Sequence, residues 1–153
     1  MAERRLVVTG AASGIGRSVA ELAAAEGAAL SLVDIDKSGL EAAADSLRES
    51  GVRVTTIAAD LYDPDVPRQV IAESAEFLGG IDVLVSNAGA PQYFTLLDLT
   101  VDAFDKSVAL NVRATWLLGQ AAHPWLAASA GNIVATGSTC GHWPAPPQGA
   151  YSV

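Results

Sequence analysis

Cysteine is nearly absent: Cys140 stands alone in 153 residues, so no internal disulfide can form and nothing calls for an oxidising compartment. Basic residues are few, nine Lys and Arg against 17 Asp and Glu, for a formal charge of −8 and a pI near 4.5. Nucleic acid and anionic membranes both require clustered cations. The nine here are scattered, so neither is expected as a partner. No apolar run is long enough to span a bilayer, because charges or turn residues interrupt each one. The opening Met1-Ala2-Glu3-Arg4-Arg5 has no apolar stretch or cleavage site of a secretory signal. The two histidines, the cysteine and the carboxylates show no metal-ligand spacing. A soluble cytoplasmic protein is the default expectation.

What remains is apolar. Half the residues are hydrophobic and only 17% are charged, the composition of a packed globular chain of one domain. Short β-rich runs alternate with helical patterns. Leu6-Val7-Val8 ends in Thr9-Gly10. Ile15, Val19, Leu22 and Ala23 then recur at helical spacing, with Gly27 as a stop. Residues 29–33 form a second strand closed by Asp34. Leu40, Ala43, Ala44 and Leu47 mark a helix ended by Gly51, and 52–58 a third strand. Asp63-Pro64 reads as the next helix start, with Val66, Val70, Phe77 and Leu78 as its buried side.

Residues 81–85 make a fourth strand running into Asn87-Ala88-Gly89. Thr100 reads as the cap of a long helix. Phe104, Val108 and Val112 lie on one face of it and Leu110, Ala114 and Leu117 on another, which predicts burial on more than one side. Residues 131–135 are a fifth strand, and 136–153 a Gly- and Pro-rich loop followed by a helix opening. Strand and helix in alternation imply a parallel sheet covered on both faces, doubly wound and Rossmann-like, with ligand at the carboxyl ends of the strands.

The first strand–helix turn is Thr9-Gly10-Ala11-Ala12-Ser13-Gly14-Ile15-Gly16. Its glycines permit a sharp turn, close approach of a pyrophosphate and tight packing of helix on sheet, while the helix N-terminus offers amides and positive dipole to phosphates. The spacing is G-x-x-x-G-x-G rather than the commoner G-x-G-x-x-G; a purely structural glycine turn is the competing reading. Asp34 lies eighteen positions after Gly16, near the roughly 20-residue offset of a carboxylate that binds ribose hydroxyls. Such a carboxylate repels a 2′-phosphate. Ile35 in place of Arg, and Ser13 in place of a base, point the same way, to NAD over NADP. Asp36 is assigned to capping the next helix.

Taken together, the turn 9–16, Asp60 after the third strand, Asn87-Ala88-Gly89 after the fourth, Asn111 in the long helix, Ser138 after the fifth and Tyr151 resemble the ordered signature of the short-chain dehydrogenase/reductase family. Twelve residues separate Ser138 from Tyr151, similar to the family's gap. The resemblance implies an oxidoreductase moving hydride between NAD(H) and an alcohol or carbonyl. It implies that Gly10, Ser13, Gly14, Ile15, Gly16, Asp34 and Ile35 hold the dinucleotide, that Asp60 and Leu61 contact adenine, and that Asn87, Ala88 and Gly89 support the central strand and line the adenine ribose. Ser138 would bond the substrate oxygen, Tyr151 would give or take the proton, and Asn111 would hold a water in a proton relay. Family members are usually homodimers or homotetramers.

A free phenol titrates near pH 10, and in the family a lysine four positions after the tyrosine, on the same helix face, stabilises the phenolate. Here the sequence reads Tyr151-Ser152-Val153 and stops two residues short of that position. Family members run to about 250 residues. The chain therefore reads as an N-terminal portion truncated before the lysine, with the fifth strand as an open sheet edge. Two other readings stand beside the NAD enzyme: an inactive dinucleotide-binding fragment and an NADP(H)-dependent reductase. Lys37 and Lys106, both placed in helix-start segments, are not expected to substitute for the lysine. His123 before Pro124 is read as a helix end, Trp116 and Trp125 as core or interface, and Tyr93, His142 and Trp143 as residues on loops that resemble the family's substrate-facing loops, with packing on the fold as the other reading of Trp143. Cys140 is read as buried or pocket-lining rather than a nucleophile.

Overall fold

The computed structural model describes residues 4–144 and 146–152. The reading of Met1 to Glu3 as lacking a leader, and the end of the tail at Val153, lie outside the described residues. Five strands, β1 (Arg5–Thr9), β2 (Ala29–Asp34), β3 (Val54–Ala58), β4 (Val83–Ser86) and β5 (Asn132–Ala135), form one parallel sheet in the order β3-β2-β1-β4-β5. Strand order reverses beside β1, so the connections leaving the paired strands β1 and β4 run to opposite faces of the sheet and open a crevice at the carboxyl ends.

Helices α1 (Gly14–Ala25), α2 (Lys37–Glu49) and α3 (Val66–Leu78) are followed by a long composite helix. It comprises α4 (Val101–Val108), a π segment (Ala109–Arg113) and α5 (Ala114–Ser129). Successive residues of a strand face opposite sides. Val8 therefore joins Leu30, Leu32 and Leu40 in the core under α1 and α2, while Val7 joins Val33, Leu84, Ile71 and Leu118 in the core under α3 and α5. Both faces are covered over the central strands β2, β1 and β4, as the alternation of elements predicts.

The structure revises several details. α1 packs through Gly16, Ala20 and Ala24, whereas Ile15 and Leu22 point outward, 62% and 70% exposed. Small residues let the helix lie close to the sheet, and the larger ones fall on the far side. α3 begins at Val66, two residues later than expected: Asp63 Oδ1 accepts from the Asp65 amide (2.9 Å) in a turn, and Pro67 occupies the first helical turn. Its core face adds Ile71, Ser74 and Ala75, and Phe77 turns outward beneath the Arg53 guanidinium, 5.7 Å from the ring centre.

In the long helix Ala103, Ser107, Leu110, Ala114, Leu118, Ala122 and Leu126 are buried, but Phe104, Val108, Val112, Trp116 and Trp125 are exposed. One side is packed rather than two, and the tryptophans are not core. His123-Pro124 sits inside α5, not at its end. Lys106 lies in the last turn of α4, paired with Asp102 at 3.0 Å, rather than at a helix start. β5 is exposed along its whole length at the sheet edge. Among the described residues no helix is long and apolar enough to cross a membrane, and no cluster of His, Cys, Asp or Glu could hold a metal ion.

Candidate functional site

The crevice at the carboxyl ends of the strands widens into a cavity of about 860 Å³. It is lined by Gly10, Ser13, Gly14, Ile15, Asp34, Ile35, Asp60, Leu61, Asn87, Ala88, Gly89, Asn111, Ser138 and Tyr151. Of the residues assigned from the sequence to the dinucleotide, the substrate oxygen or the proton relay, all line this one cavity except Gly16, which lies behind the wall.

Gly16 explains how the wall is built. A Cβ there would press on the Gly10 carbonyl oxygen and lie 2.7 Å from its carbonyl carbon and 2.6 Å from Asn87 Nδ2, so only glycine lets α1 start this close to the end of β1. Gly10 has φ +67, and a Cβ on it would come 2.8 Å from Asn87 Nδ2. Gly14 differs. Its φ is +54, yet a Cβ would meet nothing within 4 Å, because that space belongs to the cavity. The amides of the first helical turn have no intrahelical acceptor, and the Ser13 side chain does not cap them. Open space, free donors and a positive helix end suit a diphosphate.

At the end of β2 the Asp34 carboxylate is held by two backbone amides. Oδ2 accepts from Ala12 (3.0 Å) and Oδ1 from Asp36 (3.0 Å). Each oxygen keeps a lone pair free for a hydroxyl donor. Asp36 caps α2 as expected, Oδ1 accepting from the Gly39 amide at 3.1 Å. Among the described residues no Lys or Arg lines the cavity. After β3, Asp60 Oδ1 accepts from the Tyr62 amide (2.9 Å), closing a turn that buries Leu61.

Asn87 ties β4 to β1. Its Nδ2 donates to the carbonyls of Thr9 (3.1 Å) and Gly10 (3.4 Å), and Oδ1 accepts from Thr136 Oγ1 (3.0 Å). The fully buried Thr9 hydroxyl accepts from the amides of Asn87 (2.9 Å) and Ala88 (3.0 Å). Sequence reasoning gave Thr9 no such role, since a threonine at a strand end has no distinctive signal. Asn111 lies in the π segment, a helical irregularity frequent at functional sites. Oδ1 accepts from the Ala90 amide (3.0 Å), and Nδ2 donates to the Ala90 carbonyl (3.1 Å) and Ser107 Oγ (3.3 Å). Both amide hydrogens are committed, which leaves the second lone pair of Oδ1 for a water.

Ser138 opens a short 3₁₀ turn (Thr139–Gly141), its Oγ accepting from the Cys140 amide at 3.1 Å. The hydroxyl hydrogen therefore stays free to be donated. Tyr151, in the turn Ala150–Ser152, is half-buried and reaches the same cavity. Cys140 is partly buried, its Sγ 2.8 Å from Gln148 Oε1, and does not line the cavity; nor do Tyr93, His142 and Trp143.

Other proteins share this arrangement. The profile of the short chain dehydrogenase family matches residues 4–153. Cis-1,2-dihydrobenzene-1,2-diol dehydrogenase of Pseudomonas putida is 35% identical over 144 residues, which cover 90% of this chain and 51% of that protein. Oxidoreductase UcpA of Escherichia coli strain K12 is 36% identical over 142 residues, 92% of this chain and 54% of that protein. The chain spans about half the length of these curated relatives. Among solved structures, a short chain dehydrogenase from Burkholderia cenocepacia J2315 in complex with NADP is 35% identical with a TM-score of 0.92, covering 97% of this chain and 61% of that one. A short chain dehydrogenase/reductase from Burkholderia phymatum in complex with NAD is 27% identical with a TM-score of 0.93, covering 98% and 54%. Sheet order, cavity and sequence agree: the chain belongs to the short chain dehydrogenase family.

Proposed function

We propose that the protein is an NAD-dependent oxidoreductase acting on an alcohol or carbonyl substrate. The observation that carries this is the joining, in one cavity with no lining cation among the described residues, of the open cradle at Gly14 and the amide-held carboxylate of Asp34. The cradle suits the diphosphate and the carboxylate the adenosine ribose. A 2′-phosphate would meet the negative charge of Asp34, with Ile35 beside it and no Lys or Arg among the described residues of the wall to offset it. NAD, when bound, supplies the hydride acceptor.

The residues around it bind and move a proton. Asp60 and Leu61 bound the adenine end, and Asn87, Ala88 and Gly89 form the floor. Ser138 donates its free hydroxyl hydrogen to the substrate oxygen, Tyr151 exchanges a proton with that oxygen, and Asn111 anchors a relay water while bracing Ala90. Because the solved relative from Burkholderia cenocepacia holds NADP, the cofactor choice is tested directly. Calorimetric titration of the chain should show NADH bound at least tenfold more tightly than NADPH, with Asp34→Ala narrowing the ratio. Tighter NADPH binding overturns the cofactor assignment, and affinity for neither nucleotide overturns the whole reading. In the active protein, Tyr151→Phe should lower kcat at least a hundredfold with NADH affinity retained.

A further inference from the structure

Asn111 and Arg113 stand two residues apart in the π segment, yet each grips a different wall of the cavity. Positions two apart lie on roughly opposite sides of a helix, about 200° apart at α-helical spacing and somewhat less in the wider π turn. Asn111 reaches the loop after β4 and fixes both polar groups of the Ala90 peptide. Arg113 reaches the turn after β3, where its Nη2 donates to the Tyr62 carbonyl at 2.6 Å, across 51 residues of sequence. Asp60 and Leu61 belong to that same turn. Within the turn the Tyr62 amide bonds Asp60 Oδ1 and the Asp63 amide bonds the Asp60 carbonyl (3.3 Å). Those bonds shape the turn but do not fix its distance from the long helix. The hydrogen bond that crosses from the turn to the long helix is the guanidinium's, a charged donor on a carbonyl and so of the stronger class, and it acts beside the packing of the buried Leu61 in one core with Leu110 and Ala114. Arg113 Nε is buried without a hydrogen-bond partner among the described residues, so losing the Tyr62 carbonyl would leave a half-buried cation poorly satisfied.

We propose that Arg113 is a positioning residue for the dinucleotide: through Tyr62 it holds the Asp60–Leu61 wall in place against the adenine. It does not line the cavity and touches no ligand. The π segment then sets both ends of the cavity, Asn111 the wall at Ala90 and Arg113 the wall at Leu61. This rests on the reading of the cavity as a dinucleotide site with adenine against Asp60 and Leu61.

The test uses Arg113→Met, which keeps an apolar stem, and Arg113→Lys, which keeps the charge without the fork. NAD, AMP and nicotinamide mononucleotide are titrated against each, and amide hydrogen exchange is followed without ligand. Arg113→Met should weaken NAD and AMP by the same factor, about tenfold, leave nicotinamide mononucleotide unchanged, and speed exchange at the Tyr62 and Asp63 amides but not at Ala90. Arg113→Lys should show the same pattern, smaller. Equal losses for AMP and the mononucleotide, exchange accelerated equally at Tyr62 and Ala90, or unchanged AMP affinity would each overturn the proposal while leaving the dinucleotide site standing. If the unaltered chain binds no NAD, the dinucleotide reading fails and this inference with it. Should Arg113→Met not fold, the lysine variant decides by the same comparisons.

Discussion

Replacing Gly16 with alanine adds one methyl group where the structure has least room. The new Cβ would sit 2.7 Å from the Gly10 carbonyl carbon and 2.6 Å from Asn87 Nδ2. Non-bonded carbons rest roughly 3.5–4.0 Å apart, so about 1 Å must be recovered by moving backbone. Asn87 cannot simply swing aside, because its Nδ2 is bonded to the Thr9 and Gly10 carbonyls. Overpacking of this kind costs about 1–3 kcal/mol, and alanine's better helix propensity returns at most about 1 kcal/mol. A net loss near 1–2 kcal/mol lowers the Tm of a chain this size by roughly 2–8 °C. The same displacement carries the amides of the first turn of α1 away from the diphosphate, so NAD affinity should fall at least tenfold. Gly14→Ala loses stability for a different reason. Its methyl meets no protein atom within 4 Å, so the cost to the fold, about 1–2 kcal/mol, is that of a left-handed alanine, and NAD weakens because the methyl enters the cavity. Thermal unfolding without ligand reads the cost to the fold in each variant, and calorimetry with NAD the cost to the site. Gly16→Ala with unaltered Tm and unaltered affinity would refute the close-approach reasoning.

Thr9→Val removes the acceptor shared by the Asn87 and Ala88 amides at nearly constant volume, and leaving those donors unpaired should cost about 2–4 kcal/mol; Thr9→Ser should restore most of it. A urea midpoint for the valine variant equal to that of the unaltered chain would show that water replaces the hydroxyl. A second prediction concerns acid. Arg5 donates to Asp82 from its side chain and its backbone amide, and these bonds hold the Asp82 carboxyl below the usual carboxylate range against a smaller opposing effect of burial. A folded pKa beneath the unfolded one, about 3.9, means that stability is fully present above that value and is lost as pH falls through the folded pKa. The stability gap between the unaltered chain and Asp82→Asn should therefore be constant from pH 7 to 5 and shrink on further acidification. A gap that widens toward pH 2 would contradict the pairing.

Much of this was legible in the sequence where one local pattern has one physical solution. Apolar β-branched runs ending in Gly10, Asp34 and Asn87 can become only buried strands with turns at their ends, and their alternation with helices dictates the crossovers. Leu40, Ala43, Ala44 and Leu47 gave the inward face of α2 correctly, because polar residues surround them. α1 offered no such contrast. Among alanines and glycines the inward side is chosen by how closely the backbone can approach, and Gly16, Ala20 and Ala24 win over the more hydrophobic Ile15 and Leu22. The start signal at Asp63-Pro64 was misleading because Asp63 closes a turn on the Asp65 amide instead of capping the helix, which begins at Val66 with Pro67 in its first turn. In the long helix, hydropathy reports that a face is apolar but not what covers it, so Phe104, Val108 and Val112 read as core although they are exposed.

The π segment was hidden for a related reason: one residue of added width alters no composition and no single spacing. Asn111 was its one visible trace, an unfavourable mid-helix residue needing a partner. The partner turned out to be backbone, Ala90, and the consequence reaches beyond that residue. Once Asn111 is fixed toward the loop after β4, helical geometry turns Arg113 toward the loop after β3, where Tyr62 accepts its hydrogen bond. A residue with no motif of its own thereby acquires a place in the site through the geometry of its neighbour. Spacing along a known element, measured in degrees around its axis, can expose such residues where residue type cannot.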